Sequence, residues 1–133
     1  MGASEEVLRY GIADVSEMTG ISAYTIRYYD KCGFFPELLR DASGVRSFAD
    51  SDVKQLLFVD ALRKSGLSIE GIQYYVRLQK RSEETLEERR GILKAQCTSM
   101  ELQLSDMQAC LERLRAAGME LEAAAGAEEG PVL

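Results

Sequence analysis

The side chains best suited to bind another molecule lie close together, in the segment that follows Ser22. A helix over residues 23–32 would bury Ile26 and turn cations, hydroxyls and aromatic rings to solvent. Those outward side chains are Tyr24, Thr25, Arg27, Tyr28 and Lys31. Hydroxyl and guanidinium groups hydrogen-bond base edges and phosphates, so this face suits the major groove of duplex DNA.

The residues just before this segment predict a helix-turn-helix. A short helix over residues 14–18 places Val15 and Met18 on one face. Gly20 follows its end, where a left-handed residue stops a helix, and Ser22 can cap the next helix with its hydroxyl. In this motif the second helix enters the major groove, and side chains near its N-terminus reach the base edges.

A strand-turn-strand is predicted directly after the second helix. The turn is Asp-Ala-Ser-Gly at residues 41–44, with a glycine where a positive φ is expected. Leu39 and Arg40 precede this turn, and Val45 and Arg46 follow it. Arg40 and Arg46 would therefore lie on a wing beside the second helix and contribute cations to DNA binding.

Three runs of residues are specific enough to indicate a family. They are Thr-Gly-Ile-Ser-Ala-Tyr-Thr-Ile-Arg-Tyr-Tyr-Asp at residues 19–30, Gly33-Phe34, and Gly-Val-Arg-Ser-Phe at residues 44–48. Together they resemble the DNA-binding domain of the MerR family of bacterial transcription regulators. The likeness continues through residues 65–72 and covers residues 10–114. The sequence differs from the family pattern at Ala13 and Ser16, and these differences affect only the stability of the first helix.

Two further helices are predicted after the wing. Residues 50–64 carry apolar side chains at helical spacing, and Ser68 can cap another helix over residues 69–79. Their apolar stripes are expected to pack against the helix-turn-helix. The alternative interpretation makes part of the surface at Tyr74 and Tyr75 an effector pocket.

An apolar seam at alternating spacings of four and three predicts a coiled coil from residue 85 to 117. Its members are Leu93, Cys97, Met100, Leu104, Met107, Leu111 and Leu114. Thr85 and Glu88 have the spacing of a capping box at its start, and Gly118 is expected to interrupt the helix. Because a lone helix would expose this seam to water, we predict a second copy of the chain as its partner.

The resemblance and the patterns together predict a mostly α fold. A winged helix-turn-helix DNA-binding domain with its connecting helix pair should occupy residues 8–81. The dimerisation helix should occupy residues 82–121, and the resemblance implies that it pairs antiparallel with its copy. Residues 122–133 are expected to form a disordered acidic tail.

Charge and composition exclude other classes of protein. The net charge of −6 comes entirely from residues 82–133, because residues 1–81 hold 11 basic and 11 acidic side chains. Weak non-specific DNA binding is therefore expected, with more reliance on dimeric, shape-dependent contacts. The chain has no histidine and no glycine-rich phosphate loop, so neither an enzyme nor a cofactor is expected. No membrane span or signal pattern is apparent, which predicts a cytoplasmic protein.

The three cysteines, Cys32, Cys97 and Cys110, are an odd number without CxxC spacing. The metal sensors that the chain resembles carry cysteines at the start of the dimer helix and in a loop after it, and this chain has none there. It looks most like the aldehyde- and thiol-stress branch, but Ala61 stands where that branch often has its cysteine. We therefore expect no metal site, and the inducer stays open.

The resemblance implies a homodimer that binds a pseudo-palindromic promoter and kinks and untwists the DNA so that RNA polymerase can use it. Because few residues follow Gly118, any effector is expected to bind within the dimer helix and its neighbours. The alternatives are an architectural or recombination-accessory DNA-binding protein and a protein-interaction adaptor. The seam speaks against the first, and retention of Arg27, Arg40 and Arg46 speaks against the second.

Overall fold

Helices dominate the computed structural model, which describes residues 8–128, and a small sheet forms the wing, as predicted. In chain order the elements are β1 (Arg9–Tyr10), α1 (Ile12–Thr19), α2 (Ala23–Lys31), β2 (Leu39–Arg40), β3 (Arg46–Ala49), α3 (Asp50–Lys64), α4 (Ile69–Lys80), a 3₁₀ turn (Ser82–Thr85) and α5 (Leu86–Glu128). The chain divides into two compact units, Met1–Gln96 and Cys97–Leu133. The winged helix-turn-helix lies wholly in the first unit.

The turn between α1 and α2 is closed by the two residues predicted to close it. Gly20 has a φ of 75° and ends α1, and its N–H donates to the carbonyl of Ser16 at 2.9 Å. The hydroxyl of Ser22 accepts from the N–H of Thr25 at 3.1 Å and so begins α2. Helix α1 is longer than predicted at both ends, whereas α2 ends one residue early.

Gly20→Ala should lower the free energy of unfolding by about 1–2 kcal/mol, because a left-handed backbone is strained for any residue with a Cβ. Apart from Gly20 itself and its chain neighbours, no atom of residues 8–128 lies within 4 Å of the position that this Cβ would take, so the cost is conformational and not steric. Gly91→Ala is the matched control, since Gly91 lies within α5 in equally open space. There alanine should stabilise the helix by up to about 1 kcal/mol. Urea unfolding measures both, and shifts of the same sign would contradict this account.

The core of the first unit lies behind the helix-turn-helix, where α1, α2, β3, α3 and α4 converge. Its completely buried side chains are Val15, Ile26, Phe34, Phe48, Leu56, Val59 and Ile72. Met18 shares a face with Val15 in the sequence pattern but is 53% exposed. The phenol of Tyr29 donates to the Asp60 carboxylate at 3.2 Å, which satisfies its polar end at the edge of this core. Helix α2 is therefore fixed from behind.

The sheet has three strands in the order β1, β3, β2, and all neighbours are antiparallel. Strands β2 and β3 form the predicted wing, and Gly44 in its turn has a φ of 84°. The pairing of β1 with β3, which aligns Tyr10 with Phe48, was not predicted from the sequence. The Arg9 guanidinium reinforces it with a 2.8 Å hydrogen bond to the Ser47 hydroxyl.

Helices α3 and α4 follow their predicted bounds closely. Helix α3 spans the predicted residues, and the Ser68 hydroxyl begins α4 by accepting from the N–H of Gly71 at 3.0 Å. Tyr75 is buried in the core, whereas Tyr74 is 40% exposed and its hydroxyl donates to Glu88. The two rings therefore do not share one surface, and core packing is the correct interpretation for Tyr75.

The predicted capping box at Thr85 is wrong. The Thr85 hydroxyl lies 2.7 Å from the carbonyl of Leu78 and 3.0 Å from that of Ser82, so its proton is directed at the end of α4. Glu88, the other half of the predicted box, accepts a hydrogen bond from Tyr74 instead. Thr85 therefore closes one helix, and α5 begins one residue later.

Helix α5 does not stop at Gly118 as predicted, but continues to Glu128. A single glycine inside a helix costs only about 1 kcal/mol relative to alanine, and the many alanines around Gly118 favour continuation. The predicted disordered tail is therefore helical over residues 122–128, and its remainder, residues 129–133, lies outside the described residues. Between residues 8 and 128, no helix has the length and apolar character needed to cross a bilayer.

Candidate nucleic-acid interface

The outward face of α2 carries the side chains that the sequence predicted. Tyr24 near its N-terminus is 79% exposed, and Arg27, Tyr28 and Lys31 follow on the same side. These four residues line one shallow depression on the helix surface. Two cations and two phenols thus meet on one face of a helix, which is the shape and chemistry that a DNA groove accepts.

Two hydroxyls on this face are held in defined positions. The Thr25 hydroxyl lies 3.0 Å from that of Ser22, so it belongs to the cap that begins α2 and is half-buried. A side-chain hydrogen bond with Cys32 raises the pKa of Tyr28, and nearby Arg63 opposes this shift. Tyr28 is therefore a neutral phenol that is able to donate a hydrogen bond at physiological pH.

Arg63 is a further candidate DNA-binding residue, which was not predicted from the sequence. It lies near the end of α3, yet it is close enough to α2 to act on the pKa of Tyr28 and of Tyr29. Its guanidinium donates to the carbonyl of Leu67 at 3.2 Å, and the residue is exposed. In the sequence, Arg63 is a cation just before the turn that leads to α4. Its position along the chain does not indicate that it lies beside α2, because that proximity depends on tertiary packing.

The wing is stiffened by its own turn. The Asp41 carboxylate accepts from the N–H of Ser43 at 2.9 Å, from its hydroxyl at 2.8 Å and from the N–H of Val45 at 3.0 Å. The hydrogen bond from the Ser43 hydroxyl is the largest cause of a lowered pKa at Asp41. Because the N–H of Asp41 also donates to the carbonyl of Val45 at 2.8 Å, the hairpin tip is a closed unit.

Both predicted wing arginines lie on the wing, but neither extends freely into solvent. Arg46 donates from Nε to Asp30 Oδ2 at 2.7 Å, and Arg40 places Nη2 3.4 Å from the same oxygen. Arg40 also donates from Nη1 to the carbonyl of Gly44 at 2.9 Å. Asp30 belongs to α2, so these ion pairs join the wing to that helix. No role for Asp30 was predicted from the sequence.

The seam residues fall into two groups. Leu93 packs in part against the core of the first unit, whereas every seam residue from Met100 onward is exposed. Cys97 and Cys110 are also exposed, Cys32 is half-buried beside the core, and all three are free thiols. Among residues 8–128, no three cysteine or carboxylate side chains converge as metal ligands would.

Comparison with known proteins agrees with this geometry. Residues 10–79 match the family described as "MerR HTH family regulatory protein". An uncharacterized HTH-type transcriptional regulator of Haemophilus influenzae is 33% identical over 80% of this chain and 79% of its own length. The transcriptional regulator AdhR of Bacillus subtilis is 38% identical over 62% of this chain and 59% of its own.

A solved structure extends the likeness to a DNA complex. It is the crystal structure of HiNmlR, a MerR family regulator lacking the sensor domain, bound to promoter DNA. It superposes with a TM-score of 0.80 at 30% sequence identity and covers 90% of this chain and 94% of that one. The fold is therefore similar to that of a regulator whose structure was solved on promoter DNA.

Proposed function

Since the chain belongs to the MerR family of helix-turn-helix regulatory proteins, we propose that it acts as a homodimer on a pseudo-palindromic promoter site whose DNA it distorts. It is a DNA-binding transcriptional regulator, and the proteins it is similar to are regulators and not enzymes. A regulator of promoters works where the DNA is, which in a bacterium is the cytoplasm.

The observation that carries the proposal is the recognition face of α2. Arg27, Tyr24 and Tyr28 project from a helix whose opposite face is locked into the core by Ile26 and Tyr29. A side chain that reads base edges must be held rigidly, because bidentate hydrogen bonds tolerate little misplacement. Here the backbone is fixed while the reading groups stay accessible.

The seam of α5 supports the homodimer. Leu104, Met107 and Leu114 are each at least two-thirds exposed in the single chain, an arrangement that water disfavours. A second copy of the same helix offers the same spacing of apolar side chains, so it can cover the seam with knobs-into-holes packing. Two recognition helices about 34 Å apart would then enter successive major grooves.

The resemblance to the MerR family is the reason for proposing that the protein distorts promoter DNA and thereby acts on RNA polymerase. Kinking or untwisting a promoter costs on the order of 1–10 kcal/mol, which a shift between two dimer geometries can supply or withhold. RNA polymerase then gains or loses a promoter whose elements are correctly aligned. The net charge of −6 weakens non-specific binding, so shape-dependent contacts must contribute much of the selectivity.

The test is selection of duplexes from a random library by the full chain, followed by gel shifts on the DNA upstream of its own gene. We expect an enriched duplex with two related half-sites, called the operator below, and a match to it upstream of the gene. Failure to enrich any sequence would contradict the proposal and favour a protein-interaction adaptor. Enrichment of bent DNA without a shared sequence would favour an architectural role.

Thiol chemistry is not expected to carry the signal. Cys97 and Cys110 lie thirteen residues apart on one helix, on the order of 20 Å, so they cannot share an ion within one chain. The variant Cys32→Ser, Cys97→Ala, Cys110→Ala should keep dimerisation and the promoter response. Loss of induction by metal, diamide or aldehyde in a reporter strain, where the parent responds, would make the thiols the sensor.

A further inference from the structure

We propose that Asp30 is a positioning residue that sets how selectively the protein reads DNA, because it holds both wing arginines against the recognition helix. The inference rests on the proposed function and deepens it. Asp30 stands on the DNA-facing element, where a carboxylate repels phosphate. An unpaired carboxylate there would weaken DNA binding. In the structure this carboxylate forms ion pairs with Arg40 and Arg46.

The two ion pairs on Asp30 differ in exposure. The Asp30 and Arg46 side chains are 18% and 19% exposed, so their 2.7 Å contact is shielded from water. Arg40 is 51% exposed, and its 3.4 Å contact with the same oxygen is a weaker surface pair. Arg46 is therefore the principal anchor, and Arg40 adds a second point of attachment to the wing.

These contacts fix the positions of the two arginine side chains and not the internal structure of the wing. Asp41 closes the turn through its own hydrogen bonds, and β2 pairs with β3 independently of Asp30. The base of the wing is anchored by Phe48, which lies in the core, and by the pairing of β3 with β1, whereas both of its arginines form ion pairs with α2 through one carboxylate, that of Asp30. Removing that carboxylate should release the two arginines from α2 and loosen the end of the hairpin that carries them, without unfolding the sheet.

The charge on Asp30 has a second consequence. It partly neutralises two arginines that would otherwise pair with any phosphate, whatever the base sequence. Each additional cation that neutralises a phosphate changes the slope of log K against log salt by about −0.9. Asp30 therefore restrains non-specific binding while it orients the two wing arginines, and both effects raise the ratio of specific to non-specific affinity.

If Asp30 sets DNA selectivity, substitutions of Asp30 and of Arg46 should change the salt dependence of DNA binding in opposite directions. A purely structural role for Asp30 would not produce that difference. Asp30→Asn keeps the shape but loses the charge, so binding to a scrambled duplex should strengthen about three- to tenfold at 0.1 M salt, with a steeper slope. The operator-to-scrambled ratio should fall about fivefold or more, the effect of one mismatched base pair. Arg46→Gln should also lower the ratio, but with a shallower slope. Asp30→Glu, which keeps the charge, should lie nearer to wild type.

A DNA-free measurement separates failure of this inference from failure of the proposed function. The Arg46 Nε–H should give a slowly exchanging NMR signal in the wild type that is absent in Arg46→Lys and exchanges fast in Asp30→Asn. A wild type that shows this signal but enriches no operator overturns the proposed function. If the wild type does enrich an operator, two results would overturn the role of Asp30. One is an Arg46 signal that is unaffected in Asp30→Asn, and the other is an unchanged salt slope and operator-to-scrambled ratio in that variant.

Discussion

Leu104→Lys should turn the protein into a monomer that no longer binds the two-half-site operator tightly. Leu104 lies in the middle of the seam and is 67% exposed in the single chain. In the proposed dimer the change would place two unpaired ammonium groups in an apolar interface. An uncompensated buried charge costs about 3–5 kcal/mol, so even one of the two should raise the dimer dissociation constant by a factor on the order of a thousand.

The chain supplies a matched control for this substitution. Leu102 lies on the same helix and is 64% exposed, but two residues of helical rotation turn it away from the seam. Leu102→Lys should therefore remain a dimer and keep operator affinity within about twofold of wild type, as surface changes usually do. Light scattering of the two variants decides the matter. If Leu102→Lys dissociates and Leu104→Lys does not, the seam is misplaced.

Arg27→Ala should weaken operator binding by about 1–3 kcal/mol, which is about 5- to 150-fold. Arg27 is exposed on the face of α2 that also carries Tyr24 and Tyr28. If its guanidinium reads a base, affinity for the operator should fall far more than affinity for a scrambled duplex. If it binds phosphate, both affinities should fall alike and the salt slope should become shallower by about one unit.

Arg90→Ala is the control for loss of one positive charge. Arg90 is exposed on α5, where it forms a surface ion pair with Glu87 at 2.8 Å. Such pairs contribute little, so neither stability nor operator affinity should change much. Fluorescence anisotropy titrations with both duplexes measure all of these effects. Unchanged affinity in Arg27→Ala for both duplexes would remove α2 as the reading helix.

Local signals in the sequence predicted the elements that local interactions determine. Helices α2 and α4 have the predicted starts because Ser22 and Ser68 cap them, and Gly20 supplies the left-handed stop at the end of α1. The wing was predicted because its turn satisfies its own hydrogen bonds. These features depend on residues a few positions apart, which sequence patterns record directly.

Contacts between distant residues could not be predicted in the same way. Strand β1 has only two residues and exists because it pairs with β3, far along the chain. Asp30 contacts Arg46 across sixteen positions, and nothing in either local pattern indicates that pair. An acidic residue inside an otherwise basic recognition face indicates that it has a basic partner, but not which one. Thr85 has the spacing of a cap, but tertiary packing directs its hydroxyl to Leu78 instead.

The most direct test of the central claim is the stoichiometry of the DNA complex. Sedimentation of the full chain with the operator duplex counts the chains that bind it, and a duplex cut to one half-site serves as the comparison. We predict two chains on the operator and an affinity for the half-site that is lower by about a hundredfold or more, as loss of the second linked contact requires. One chain per operator, or equal affinity for both duplexes, would contradict a homodimeric regulator of a pseudo-palindromic promoter.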